Sequence, residues 1–431
     1  MKGRGVYIKT FGCQMNEHDT ERMLGILASR GFLEVEEPKK ADIIIFNTCA
    51  IREKAEQKFF SSLGRLKHIK NKKPDLKIIV AGCSAQIQGI NLLKKMPFID
   101  YVIGPDNIDK LENIVESKNE KPKLFLSENP DIAIKELPVL RRDSVKAWIN
   151  IIYGCNNYCA YCVVPYTRGR ERSRPAENIL NEVKFLAQQG YKEITLLGQN
   201  VNSYRDGDID FPLLLEKLNE IEGIERIRFV TSHPKDLSKK LVNTMKDCEK
   251  VCEHIHLPLQ AGSNKILKLM NRKYTYEEYI EKISWLREAI PNISITSDII
   301  VGFPQESDED FEKTILALKE IKFDGIFAFK FSARPGTVAS KIEGKIPESI
   351  KSKRLTEVLN LQDEITERKN KIYENTIHDV LIEDKNEEGV TIGRTRTNKI
   401  VKINCDLLKG QTVKVKIVKS NRHSLEGELI Q

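Results

Sequence analysis

The stretch AWINIIYGCNNYCAYC, residues 147–162, sets an apolar run directly ahead of three closely spaced cysteines. Residues 147–153 read as a buried β-strand, and Gly154 punctuates its end. Five further strand candidates follow, at residues 193–197, 226–231, 254–257, 294–301 and 325–331. Helical stretches separate them, among them residues 176–189 (closed by Gly190), 276–290 and 308–321. Six β-then-α units in this span specify a barrel or partial barrel of parallel strands, whose active-site groups sit in the loops after the strands. Cys155, Cys159 and Cys162 occupy the loop after the first strand.

Their spacing narrows the chemistry. A zinc ribbon or finger would show two CxxC pairs or added histidines nearby, and there are none. Thioredoxin-type chemistry needs one CxxC pair and would leave the first cysteine idle. Three thiolates on a short loop suit three irons of a [4Fe–4S] cluster, leaving the fourth iron open to an exogenous ligand. Nine cysteines in the chain do not imply disulfides if the compartment is reducing.

Working outward, residues 1–120 alternate strand-like and helix-like stretches in the manner of parallel α/β units. Strand candidates are residues 6–9, 43–47, 78–81 and 101–103; amphipathic helices are expected over 19–29 and 52–68. The first three strands each run into a cysteine, Cys13, Cys49 and Cys83. In an open parallel sheet the carboxyl ends of the strands share one edge, and ligands bind there. The three thiols are therefore expected to converge, although buried cysteine at a strand end is also common as simple packing.

Residues 121–142 are polar and proline-punctuated and read as a connecting segment. The barrel spans 143–372 and ends in a charged helix over residues 348–373. Residues 373–431 carry short alternating strands (HDVLIED, VTIGRT, IVKIN, TVKVKIVKS and SLEGELI) between Gly and Asn/Asp turns, the pattern of a small all-β barrel. The fold class is α/β: an N-terminal open parallel sheet, a central partial (β/α)6 barrel and a C-terminal β-barrel.

Lys and Arg total 70 against 62 Asp and Glu, a net charge of +8, which permits an RNA partner without demanding one. With no apolar run near the ~18–20 residues needed to span a bilayer and no signal-like N-terminus, the chain is expected to be cytoplasmic, off the membrane and monomeric. Arg168, Arg170, Arg172 and Arg174 recur at every second position after the cluster loop. An extended chain would project all four from one face, for phosphate recognition or for an internal salt-bridge network. Arg394, Arg396, Lys414 and Lys416 mark the small barrel as a candidate RNA surface. Cys248 and Cys252 lack a third partner and, with Cys405, are read as packing or turn residues.

The CxxxCxxC loop after the first strand of a six-unit barrel resembles the radical S-adenosylmethionine superfamily. That resemblance implies an open iron chelated by the amino and carboxylate groups of S-adenosylmethionine. It also implies that one electron splits the sulfonium to give a 5′-deoxyadenosyl radical, and that Tyr161 lies near the adenine. KTFGCQMNEHDTE, NTCAIREKAEQK and VAGCSAQ are similar to the methylthiotransferases, and within them to the MiaB type that makes 2-methylthio-N6-dimethylallyladenosine in tRNA. The likeness continues through YGCNNYCAYCVVPYTRGRERSRP, LLGQNVNSY, SHP, HIHLPLQAGSN, SDIIVGFPQE and FKFSARPGT, and into a C-terminal domain of the TRAM kind.

The family implies a second [4Fe–4S] cluster on Cys13, Cys49 and Cys83, a tRNA anticodon stem-loop carrying isopentenyladenosine as substrate, and an electron donor such as flavodoxin or ferredoxin. Polar residues at the barrel strand ends are the candidate cofactor contacts: Gln199, Asn200, Ser232, His233, Gln260, Asp298 and Arg334; each could instead cap a loop. The competing readings are a methylthiotransferase for threonylcarbamoyladenosine or a ribosomal-protein aspartate and, from another class, a non-catalytic RNA-binding protein with structural zinc.

Overall fold

The computed structural model describes residues 4–50, 53–117 and 123–430. Ile51 and Arg52 of the CAIREKA segment and the expected boundary at residue 120 lie outside the described residues. The N-terminal sheet has six parallel strands, β1 (Arg4–Phe11), β2 (Phe32–Glu34), β3 (Ile43–Thr48), β4 (Lys77–Gly82), β5 (Tyr101–Ile103) and β6 (Lys123–Phe125), in the order β2-β1-β3-β4-β5-β6. Strand β3, IIIFNT, is buried throughout, as expected for a parallel strand covered on both faces. Its alternate residues feed two cores: Ile43 and Ile45 pack with Met23 and Leu27, while Ile44 and Phe46 pack with Phe59 and Leu63.

This order creates a topological switch point. The chain leaves β1, crosses to β2 on one side, and returns to β3 on the other. The crevice at the carboxyl ends of β1 and β3 is where such sheets bind ligands. Strands β2 and β6 escape the sequence pattern because three residues are too short to show a period. Strand β6 extends the sheet into what reads from sequence as connecting chain, pairing Tyr101–Ile103 with Lys123–Phe125. The rest of that segment is no loose tether: Leu140 N–H donates to Glu21 O at 3.0 Å, and Arg141 pairs with Glu21 at 3.0 Å and also with Glu182.

The central domain is a partial barrel of six parallel strands in two sheets. Lys146–Asn150, Glu193–Leu197 and Arg226–Phe229 form one; His254–His256, Ser294–Val301 and Gly325–Lys330 form the other. A parallel bridge between Ile227 and Val251 joins them. Alternation assigns the faces. Ile149, Ile194, Leu196, Ile227, Ile255, Ile295 and Ile299 join the helix-covered core, while Thr195, Arg228, His256, Asp298 and Phe327 lie on the opposite, lumen face. The outer helices start where the sequence says they should: Thr275 with Glu278, and Ser307 with Asp310, each form a reciprocal capping box.

The C-terminal domain is a closed five-stranded barrel of Ile377–Lys385, Thr391–Thr395, Ile400–Ile403, Leu425–Leu429 and Thr412–Ser420, around Val380, Ile382, Val401, Ile403, Val415, Ile417 and Leu425. It docks on the amino ends of the central strands. Arg226 donates to the carbonyls of Arg394 (2.6 Å) and Asp379 (2.9 Å), and Arg228 to those of Arg396 and Thr395 (both 2.8 Å). Arg228 also pairs with buried Glu193 at 2.9 Å. No helix among the described residues is long and apolar enough to cross a membrane.

Removing one partner of a buried pair strands the other, at a cost of about 3–5 kcal/mol. Arg228→Ala is therefore expected to lower the stability measured by urea unfolding by that amount, by leaving Glu193 unpaired. A loss below ~1 kcal/mol would show that the junction does not depend on this pair.

Candidate functional site: two thiol triads at facing loops

The loop holding Cys155, Cys159 and Cys162 is pinned at both ends and in the middle. Ile152–Tyr153 pairs antiparallel with Arg172–Ser173, and Cys155 N–H donates to Gly169 O at 3.2 Å. Gly154, at φ +67°, has no room for a side chain: a Cβ there would stand 2.1 Å from the Arg170 carbonyl oxygen. Ala160 N–H donates to Met270 O at 2.9 Å, and Ala160 O accepts from Ala339 N–H at 2.7 Å. The chain's own backbone bonds thus fasten the loop at both ends and in the middle.

The sulfurs meet donors. Asn157 N–H approaches Cys155 Sγ at 3.5 Å, and Arg272 Nη1 donates to Cys159 Sγ at 3.3 Å. Burial pushes the Cys155 thiol up to about 11 and that of Cys162 up to about 12. Buried thiols of this kind favour the protonated form, and a metal that binds them takes the place of the protons. That donor set fits the cluster which the spacing implies.

Arg272 is a functional candidate that sequence reasoning missed. It is buried, and besides Cys159 it donates to the Tyr274 hydroxyl (2.9 Å), the Pro258 carbonyl (3.0 Å) and the Tyr161 hydroxyl (3.4 Å). A lone arginine in LMNRKY carries no periodic signal. Tyr161, whose ring packs against the barrel core, is thereby fixed beside the thiols.

Around the barrel mouth several buried polar atoms have no partner among the described residues: Ser232 Oγ, His233 Nε2, Gln260 Oε1 and both amide atoms of Asn150. Each unpaired group costs about 1–3 kcal/mol, which a polar ligand would recover. Asn150 ends one strand, Ser232 and His233 follow a second and Gln260 a third, and their donors and acceptors fit the amino, carboxylate and hydroxyl groups of a nucleoside-amino-acid cofactor. Asn200 is different. Its Oδ1 accepts from His233 N–H (3.0 Å) and its Nδ2 donates to Asp236 (2.6 Å), so it ties loops together rather than facing a ligand. Gln199 and Arg334 are half-buried in their loops. Asp298 faces the lumen with His256 Nε2 at 3.5 Å. Phe327, 55% exposed, packs edge-on to His256 at 5.9 Å, and Phe329 beyond it is 40% exposed.

Cys13, Cys49 and Cys83 do come together at the switch point. A Cβ on Gly12 would stand 2.7 Å from Cys49 Cβ, and Gly82 (φ +94°) turns the chain tightly against Thr48 so that Cys83 follows beside it. The Cys13 thiol falls to about 6 because it is hydrogen-bonded to Cys49, with Arg168 and the Asn16 and Met15 amides adding to the effect against burial. Cys13 stands at the N-cap position of the helix Gln14–Ser29, whose amino end favours a thiolate. Burial raises the Cys83 thiol, and Arg168 opposes it. Among the described residues no three His, Cys, Asp or Glu side chains are arranged to hold a single metal ion. A four-iron cluster asks for one thiolate at each of three separate irons instead.

The two triads are neighbours. Val163, next to Cys162, packs against Ala50 and Cys83, and Arg168, six residues past Cys162, reaches Asp19 at 2.7 Å. Of the two uses open to the arginine row, phosphate recognition and an internal salt-bridge network, the second describes three of its four members. Val164–Thr167 is helical and Gly169 turns at φ +69°, so the row is not extended and its members diverge. Arg168 is buried on Asp19, Arg172 clamps Asp106 at 2.9 and 3.0 Å, and Arg174 is held by Glu182; Arg170 alone is exposed. Arg394 and Arg396 likewise turn to Glu383 (3.1 Å) and Glu253 (2.7 Å) at the domain junction. Lys414 and Lys416 are exposed on the small barrel, with Lys414 also 3.2 Å from Asp379. Cys248 and Cys252 are buried and Cys405 lies in an exposed turn.

In metal-free protein, alkylation followed by peptide mass spectrometry should find Cys13 modified with a midpoint near pH 6. Cys155 and Cys162 should resist modification at that pH. Uniform labelling of all three near pH 9 would contradict the electrostatics described.

Residues 149–318 match the Radical SAM superfamily, residues 5–104 the Uncharacterized protein family UPF0004, and residues 371–430 the TRAM domain. Among solved structures, a radical S-adenosylmethionine methyltransferase, TsrM, from Kitasatospora setae shares the fold at TM-score 0.58 and 13% identity, over 78% of this chain and 77% of that one. The tRNA-2-methylthio-N(6)-dimethylallyladenosine synthase of Thermodesulfovibrio yellowstonii is 72% identical over 430 residues, 100% of both chains. The synthase of the same name from Clostridium botulinum is 48% identical, over 98% of this chain and 96% of its own. The chain belongs to the tRNA-2-methylthio-N(6)-dimethylallyladenosine synthase family, within the radical SAM superfamily.

Proposed function

We propose that the protein adds a methylthio group to C2 of N6-isopentenyladenosine beside the tRNA anticodon, with S-adenosylmethionine as both methyl donor and radical source. Cys155, Cys159 and Cys162 would ligate one [4Fe–4S] cluster, and Cys13, Cys49 and Cys83 a second. When bound, the first cluster supplies the electron for homolysis of the S-adenosylmethionine sulfonium, and the second an open iron for sulfur. The observation that carries this reading is the adjacency of the two thiol triads across Val163 and Arg168. An enzyme that breaks a C–H bond and makes a C–S bond at one carbon needs both functions within reach of one substrate.

The remaining roles follow from this chain's own groups. Ser232 Oγ, His233 Nε2 and Gln260 Oε1 would take up polar groups of S-adenosylmethionine, and Tyr161 would stand against its adenine. Phe327 and Phe329 give the lumen an apolar wall, which suits a prenyl substituent better than the charged threonylcarbamoyl group or an aspartate. Exposed Arg170, Lys414 and Lys416 are the remaining candidates for the anticodon stem-loop phosphates, contacts that lend salt dependence. A cytoplasmic monomer reduced by flavodoxin or ferredoxin completes the proposal.

Cys155→Ala should abolish S-adenosylmethionine cleavage, whereas Cys49→Ala should retain cleavage and lose thiomethylation, read by nucleoside mass spectrometry of isopentenylated tRNA. Thiomethylation by Cys49→Ala would sink the assignment of the spread triad.

A further inference from the structure

We infer that Arg168 is a positioning residue for the spread-triad site, holding a fixed positive charge beside Cys13 and Cys83. The inference rests on the reading of that triad as a cluster site. Arg168 belongs by sequence to the radical-cluster loop, yet its side chain leaves the central barrel and is buried in the N-terminal domain. Its guanidinium donates to Asp19 Oδ2 at 2.7 Å, and its charge favours the thiolate forms of both Cys83 and Cys13. Asp19 lies on the helix whose N-cap position Cys13 holds, so one helix carries both the counter-ion and a sulfur ligand.

The chemistry of that placement is specific. A [4Fe–4S] cluster on three thiolates is an anion, and reduction adds one more negative charge. A nearby buried cation favours the reduced form, more strongly than it would in water. Arginine stays protonated throughout the working pH range, so the bias does not titrate away. Asp19 acts with the opposite sign. A purely structural bridge would not distinguish the two partners: losing either would weaken the domain contact alike.

The test uses the full chain carrying Cys155→Ala, Cys159→Ala and Cys162→Ala, so that only the spread triad binds iron. After anaerobic reconstitution, iron content is measured, and the cluster is titrated redox-potentiometrically with detection by electron paramagnetic resonance. Arg168→Gln should keep the iron yet lower the reduced-to-oxidised ratio at a fixed ambient potential about tenfold, a shift of ~59 mV for a one-electron couple. Arg168→Lys should recover most of that ratio, and Asp19→Asn should move it the other way. An unchanged potential in iron-loaded Arg168→Gln, or shifts of the same sign in Arg168→Gln and Asp19→Asn, overturns the inference. If Arg168→Gln does not fold, the upward shift in Asp19→Asn and the near-parental value in Arg168→Lys decide it. A parent protein that holds no iron with Arg168 intact removes the cluster reading itself, and the inference with it.

Discussion

The buried pair between Arg168 and Asp19, at 2.7 Å, is the constraint on which the relation of the two thiol triads depends. Desolvating two charges consumes most of what their attraction returns, so such a pair is a weak source of stability. Its value lies in placement. The pair fixes the chain just past Cys162 against the helix that follows Cys13. Val163 then fills the space between Ala50 and Cys83. Arg172 on Asp106 adds a second fastening between the same loop and the same domain. Two sites far apart in sequence are thereby built as one surface.

The architecture follows from rules that the strands obey separately. Parallel strands bring their carboxyl ends to one edge, and the order β2-β1-β3 opens a crevice between the ends of β1 and β3. Cys13 and Cys49 flank that crevice, with Cys83 just past the end of the next strand. The central strands repeat the arrangement around a lumen, leaving Ser232, His233 and Gln260 with buried polar atoms unpaired at its mouth. Such atoms are expensive in a merely structural position, and a polar ligand at the mouth would satisfy them. At the opposite end, the guanidinium groups of Arg226 and Arg228 seat the small barrel.

Much of this was legible before any coordinates. Strands with continuous apolar runs, such as Ile43–Thr48, and helices with capping boxes, such as Asp308–Ile321, stand within a residue or so of the expected positions, because periodicity and caps are local. Strand-end cysteines could be expected to converge from the topology alone. What escaped was non-local or lacked a period. The three-residue edge strands show no alternation, and Arg272 reaches Cys159 from a different unit of the barrel. The arginine row misled because alternation implies one face only in extended chain, and Gly169 breaks that chain. Arg394 and Arg396 misled because a basic strand end looks the same whether it meets RNA or the carboxylates of Glu383 and Glu253.

The proposed chemistry requires iron on both triads, side by side. Iron and sulfide analysis with Mössbauer spectroscopy on anaerobically reconstituted protein tests it most directly. About eight irons per chain are expected as cubane clusters, falling to about four when Cys13, Cys49 and Cys83 are replaced together. About four irons in the intact chain, unchanged by that replacement, would contradict it.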